Sequence, residues 1–501
     1  MVQTLGKRLS STILLILVAG VIGYYSVPFS EKLTEGENGV WRLIQLISYF
    51  NTFLLVLFIR SRFRQTQDMF DFGILFAAFF LSYNPILLIS TASHFINFGF
   101  LDNAYPVQFD ESTYLKACIC GLVGVIGLVF GQVIFSPKKG SAGALDPEQV
   151  KSISGTMNHY WVGLSLFLIG ILLLLLDFQR IGGLFYALKL DRGVRIEMLA
   201  HASGGLGLPY TTFVFVGIAM LAFSIRNVPP LQLRPLLTIT AVGLWSLLMM
   251  MQGDRRMMTY SVIIFSTVYF AGVRIKLLRI SIFLVPVYIF FQIFNQIRFF
   301  IPFLFDGTFT FGDMMDYLNR NFDVEWFSPA GGEASGPYFT LLYSLEHPSS
   351  YQYGLTYLLA VPMILPRLLY IGQKPLTVAQ SFAKQIQYLF YSDRNSAIGW
   401  GYSPLAEGYI NLGYVGVFLV FMGLAYVFIR LAKAKSSSRN GLLLSAVLTP
   451  QAMNMNRINA AAFVQEVAFV LGLLVAMVLL VRYLERVQAE NAPPKAKEGP
   501  S

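Results

Sequence analysis

Two adjacent arginines, Arg255 and Arg256, stand between apolar runs at 235–251 and 257–273, in the tetrapeptide Gly253-Asp254-Arg255-Arg256. A guanidinium stays charged and presents a planar fork of donors that binds carboxylate or phosphate oxygens in pairs. Two at one hairpin tip therefore point to an anion site. Charge near hydrocarbon costs on the order of 2.5–3.5 kcal/mol per residue at a helix centre, so retained charges are candidates for function. The competing reading is an arginine snorkelling to lipid headgroups, or pairing with Asp254.

Other groups extend this chemistry. Arg298 ends the apolar run 280–298, and Arg457 occupies the tight turn between runs at 442–456 and 462–481. Arg192 and Arg195 are three apart and share a helical face if the segment is helical. Glu407 has Asn411 one helical turn on, just ahead of the run 412–431; it is a candidate base, or else a carboxylate neutralising a nearby arginine. His347 is the best placed of the four histidines to act as a base; His94, His159 and His201 read as loop or interface residues. Cys118 and Cys120, two apart on an apolar run, read as small core residues. No D-x-D, CxxC, HExxH or Walker pattern occurs, so no metal site and no cofactor are expected.

The elements that must carry these residues follow from composition. Hydrophobic residues make up 55% of the 501, charged residues 13%, which excludes a soluble domain and predicts an all-α polytopic membrane protein. In that setting the net charge of +10 belongs to loops facing anionic lipid, and nucleic acid is not an expected partner. Runs near 20 residues match a bilayer core of ~30 Å at ~1.5 Å per residue. They fall near 11–29, 41–59, 69–90, 114–135, 159–176, 208–225, 235–251, 257–273, 280–298, 412–431, 442–456 and 462–481, about twelve crossings. The first run lacks a small-residue cleavage site and reads as a retained helix.

Sidedness follows from basic clusters, which accumulate in short cytoplasmic loops. Lys7-Arg8, Arg60 with Arg62 and Arg64, Lys138-Lys139, Arg226 with Arg234, Arg274 with Lys276 and Arg279, and Arg430 to Arg439 mark the inside. Threading the chain between them puts Arg192, Arg195, Arg255, Arg256, Arg298 and Arg457 outside and both termini inside, with a Pro/Lys-rich disordered tail over 487–501. No internal repeat is evident, so the symmetry of many carriers is not expected.

The stretch 299–411 has no clean span and is expected to be a large outer loop, with a re-entrant or surface-lying segment near 353–371 and a surface helix at 379–391. Of its 113 residues 24 are aromatic, a richer share than the chain's 15%; such rings stack on sugar C–H faces or anchor a loop in the headgroup layer. The loop closes on Gly399-Trp400-Gly401-Tyr402-Ser403-Pro404-Leu405-Ala406-Glu407-Gly408-Tyr409-Ile410-Asn411-Leu412-Gly413.

That G-x-G-x-S-x-x-x-E-x-x-x-N-x-G run before a late span resembles bacterial Wzy-type O-antigen and exopolysaccharide repeat-unit polymerases, inner-membrane proteins with one large periplasmic loop. The G-x-R at Gly253 to Arg255 and the Gln296-Ile297-Arg298 run at the start of the long loop are similar too. The likeness covers the whole layout but rests on about fifteen sharp residues.

It implies a metal-independent membrane glycosyltransferase that moves a growing glycan from undecaprenyl diphosphate to a sugar hydroxyl of a second lipid-linked repeat unit. Donor and acceptor are then undecaprenyl-diphosphate-linked oligosaccharides, with membrane lipids, a chain-length regulator and a flippase as further partners. Under this reading Arg255, Arg256, Arg298 and Arg457 hold the diphosphate. Glu407, Arg298 and His347 are the catalytic candidates, and Arg192, Arg195, Trp400, Tyr402 and Asn411 meet the glycan. The alternatives are an O-antigen ligase that delivers the glycan to lipid A core, and a non-enzymatic flippase. A flippase would line a central cavity with charge, whereas here charge collects at outer ends.

Overall fold

The computed structural model describes residues 39–92, 109–136, 150, 152–190, 192–202, 210–273, 293–294, 297, 300–321, 335–347, 352–364 and 401–491. The expected span at 11–29, nearly all of 280–298, and the expected surface helix at 379–391 lie outside the described residues. Those that are described form helices and turns without a strand. In chain order the helices are α1 (Gly39–Thr66), α2 (Phe72–Tyr83), α3 (Pro85–Ala92), α4 (Glu111–Phe135), α5 (Met157–Arg180), α6 (Leu184–Lys189) and α7 (Arg192–Ala202). They continue with α8 (Tyr210–Ile225), α9 (Leu233–Met251), α10 (Arg255–Tyr269), α11 (Ile301–Asp306), α12 (Phe311–Asn321) and α13 (Ser335–Glu346). The last are α14 (Leu355–Leu358), α15 (Ala360–Met363), α16 (Pro404–Ser437), α17 (Arg439–Leu448), α18 (Gln451–Asn454) and α19 (Ala460–Glu490).

Among the described residues seven stretches are long and apolar enough to cross a membrane: α1, α2 with α3 up to Ile89, α4, α5, α9, α16 and α19. Leu46, Val133, Leu172, Val475 and Leu479 point outward from these helices, an apolar exterior that suits a bilayer. The chain is therefore an all-helical protein built for a membrane. The α2–α3 run breaks at Asn84, because Pro85 has no N–H to continue the ladder. Helix α19 runs to Glu490, four residues into the stretch expected as disordered tail.

Helix α8 is the centre: every residue from Val214 to Ile225 is buried. It sits tightly on α5 because glycines face each other. A Cβ at Gly217 would meet the Phe167 backbone nitrogen at 2.8 Å, and one at Gly163 the Leu221 nitrogen at 2.9 Å. Helices α4 and α16 form a second glycine seam, where a Cβ on Gly127 would lie 2.5 Å from the Phe418 carbonyl oxygen and one on Gly131 2.8 Å from that of Met422. Small residues let helix backbones touch where no hydrophobic force separates lipid from protein. Gly127→Leu is expected to cost at least ~1–3 kcal/mol by overpacking, read as a lower thermal midpoint and loss of the monodisperse peak in detergent.

Helix directions sort the polar ends into two groups. One end holds a buried ion pair, Arg62–Asp71 at 2.6 Å, together with Lys435–Asp68 and the Thr156–Glu485 hydrogen bond at 2.8 Å. Arg226, at this end too, donates to the carbonyls of Ile153 and Ala271. Arg62, although it sits in an expected loop cluster, is 2% exposed and belongs to the packing. The opposite end carries the Gly253–Arg256 turn and Arg457.

The expected outer loop is partly buried. Helix α13 packs against α2, α4 and α16 with Tyr338, Phe339, Leu341, Leu342 and Leu345 inside, although its 12 residues are too few to cross. Helices α14 and α15 lie on α19, Ala360 packing against Ala461.

Candidate functional site

The α9–α10 hairpin is fastened by Trp245, whose Nε1 donates to Ser261 Oγ at 3.0 Å. Its turn needs Gly253, which has φ +71°, and Asp254 caps α10 by accepting from the Met257 nitrogen at 3.3 Å. Arg255 and Arg256 thus fall in the first turn of α10, where the dipole already contributes ~+0.5 charge. One carboxylate against two guanidinium groups and a helix N-terminus leaves the tip positive, which favours an anion there. The Arg256 guanidinium makes no hydrogen bond or ion pair among the described residues, and its Nε is buried.

Arg195 reaches the same tip from α7. It is 5% exposed and donates to the Ala187 carbonyl at 3.1 Å and to the Gln252 carbonyl at the end of α9. Both bonds are to backbone acceptors at helix ends, where a cation suits the dipole, so Arg195 holds the loop after α5 over the hairpin. Asp177, Arg195, Asp254 and Arg256 all exert their charge on Tyr210 at the start of α8.

Arg457 comes from a different part of the chain. Helix α18 and the turn 455–459 present Gln451, Asn454 and Arg457; Asn454 Oδ1 accepts from Arg457 Nε at 3.2 Å. Arg457, Arg256 and Glu466 all act electrostatically on Tyr260, a residue of α10 that is 3% exposed and whose hydroxyl has no partner among the described residues. The folded chain therefore brings Arg195, Arg256 and Arg457, far apart in sequence, to one end of the bundle.

The G-x-G-x-S-x-x-x-E-x-x-x-N-x-G run builds the joint beside them. Gly401 has φ +73°, and a Cβ there would lie 2.8 Å from the Arg457 carbonyl oxygen, which accepts from the Tyr402 nitrogen at 2.8 Å. Ser403 caps α16, accepting from the Ala406 nitrogen at 3.2 Å. Glu407 is 2% exposed; Oε1 accepts from Thr356 Oγ1 at 2.9 Å and Oε2 from the Ala460 nitrogen, in the first turn of α19, at 2.6 Å. Asn411 donates to Thr356 Oγ1 at 2.7 Å and accepts from the Gly354 nitrogen at 2.8 Å. Leu412 and Gly413 then leave helical geometry and fold the 404–411 arm back, so that a Cβ on Gly416 would strike the Gly408 carbonyl oxygen at 2.2 Å.

The remaining candidates are dispersed. Tyr402 is buried at 2%. His347 is exposed after α13, its ring stacked on Tyr343 at 4.3 Å between centroids. Arg192 opens α7, but its side chain lies outside what is described, as do Arg298 and Trp400 altogether. Among the described residues no His/Cys/Asp/Glu group has the spacing to hold a metal ion. Sequence reasoning missed Glu466, the lone charged residue in the apolar stretch 460–481, a signal that by itself marks a functional candidate. No protein-family model, curated protein or solved structure matches the chain.

Proposed function

We propose that this end of the bundle binds the diphosphate of a polyprenyl-linked glycan, and that the protein is a metal-independent polymerase of lipid-linked repeat units. One observation carries the reading: Arg256 and Arg457, from different elements, both act electrostatically on Tyr260, and the Arg256 guanidinium is unengaged among the described residues. Fixed cations at helix ends suit a substrate whose phosphates sit at the membrane surface while its chain lies in lipid. In the reaction the bond between C1 of the donor sugar and its phosphate oxygen breaks, and the acceptor hydroxyl oxygen takes C1. Arg255, Arg256 and Arg457, with Arg298, meet the charge that develops on the leaving diphosphate. Arg195 shapes the site through backbone contacts, and the aromatic residues of 299–411 are the proposed glycan surface.

The matching topology has about twelve crossings of the bacterial inner membrane, both termini cytoplasmic and the site facing the periplasm. Its large periplasmic loop spans about 299–411.

Deleting the gene and running surface polysaccharide on a gel tests the reading. Loss of long chains with single repeats still attached to core is expected; no attached repeats would indicate a ligase, and lipid-linked repeats trapped in the cytoplasm a flippase.

A further inference from the structure

Glu466 lies about 9 Å along α19 from Ala460, at 1.5 Å per residue. Its Oε2 accepts from Gln451 Nε2 at 3.1 Å and from Asn454 Nδ2 at 3.0 Å. The same Asn454 side chain accepts from Arg457 Nε at 3.2 Å, so one amide fixes the spacing of carboxylate and guanidinium. Glu466, Arg457 and Arg256 all act electrostatically on Tyr260, whose buried hydroxyl has no partner among the described residues.

The other oxygen is different. Glu466 Oε1 accepts no hydrogen bond, and the residue makes no ion pair, among the described residues. Glu407, which is buried, has both oxygens engaged, with Thr356 and Ala460, whereas Glu466 keeps one oxygen accessible. Half-buried, held by one oxygen and open at the other, Glu466 has the form of an oriented base.

We propose that Glu466 is the catalytic residue that takes the proton from the acceptor sugar hydroxyl, an assignment that rests on the polymerase reading. The hydroxyl O–H bond breaks as the proton passes to Oε1, and the oxygen's electron pair forms the new bond to C1 of the donor. The C1–O bond to phosphate breaks with its pair leaving on the diphosphate, opposite Arg256 and Arg457. Protonated Glu466 then returns its proton to water. Glu407 keeps the Arg457 turn in position.

The test uses the full chain in lipid nanodiscs, the lipid-linked repeat unit extracted from gene-deleted cells as donor and acceptor, and undecaprenyl diphosphate as binding probe. Glu466→Gln is expected to lower elongation by at least about 100-fold, the lower range for loss of a general base, with affinity for undecaprenyl diphosphate unchanged. Formate is expected to restore part of the rate of Glu466→Ala, which a purely structural carboxylate would not permit. Wild-type elongation beside an equally active Glu466→Gln overturns the proton role alone. A parallel fall of affinity and elongation in Glu466→Gln does so too, because Glu466 would then serve only to hold Arg457. A wild-type protein that binds the probe but elongates nothing overturns the polymerase reading and this role with it.

Discussion

Arg256→Ala is expected to shorten the surface polysaccharide to single repeats, with elongation down roughly 10²–10³-fold, as when one preorganised donor to a developing oxyanion is removed. The same change is expected to leave the protein at normal level in the membrane and its thermal midpoint unchanged or raised. The reason lies in the resting state. The guanidinium has no hydrogen bond or ion pair among the described residues, and its Nε is buried without an acceptor. Folding therefore desolvates one nitrogen of this guanidinium without an equivalent return, a cost a bound phosphate would offset. Lysine at the position keeps the charge but not the fork and is expected to fall between wild type and alanine. Arg255→Ala, one residue earlier on the same turn, is expected to weaken elongation in the same direction. Full-length chains from Arg256→Ala, or a large loss of protein from the membrane, would contradict the assignment.

Asp71→Ala is expected to be the most damaging change at the opposite end, costing ~3–5 kcal/mol, the range for stripping one partner from a buried ion pair. Arg62 donates to both Asp71 oxygens, at 3.2 and 2.6 Å, and also to Gln132 Oε1 at 3.4 Å and the Phe428 carbonyl at 3.3 Å. Without Asp71 the guanidinium stays buried against neutral acceptors. Asp71 further caps α2 by accepting from the Ile74 nitrogen at 3.1 Å, so alanine also loses a cap worth ~1 kcal/mol. Asp71→Asn retains the cap and is expected to fall in between. The double change Arg62→Met with Asp71→Asn is expected to recover most of the loss, because no charge is then left unpaired. Thermal midpoints in detergent rank the three; a double variant as unstable as Asp71→Ala would show that the pair's charge is not what matters.

Much of this architecture was legible from apolar runs alone. Helices α1, α4, α5, α9 and α19 lie where 20-residue hydrophobic stretches demand them, and the turn at Gly253–Arg256 falls between two of these runs. Hydropathy cannot report what a helix packs against, so the burial of Arg62 and of α13 was hidden: a short run with Gly and Pro looks like loop until its partners are known. The fold-back at Leu412 and Gly413 was hidden for the same reason, since a glycine marks a permitted bend without requiring it.

The candidate site divides similarly. Arg256 and Arg457 were visible as cations where hydrocarbon penalises them, whereas Arg195 gave no sign that both its Nη groups would be taken by backbone carbonyls. Glu407 stood out through its motif, yet its two acceptors meet Thr356 and Ala460, residues 51 and 53 positions away. Glu466 was detectable as a lone carboxylate in an apolar stretch; its orientation depends on Gln451 and Asn454, which lie across a turn.

The 402–411 arm is pinned along its length, among other ties by Tyr402 to the Arg457 peptide, Glu407 to Ala460, and Asn411 to Gly354. Such bracing works as a lever. A displacement of the chain ahead of α14 is therefore expected to pass through Asn411 and Glu407 to the turn that bears Arg457, so that the two segments shift in step.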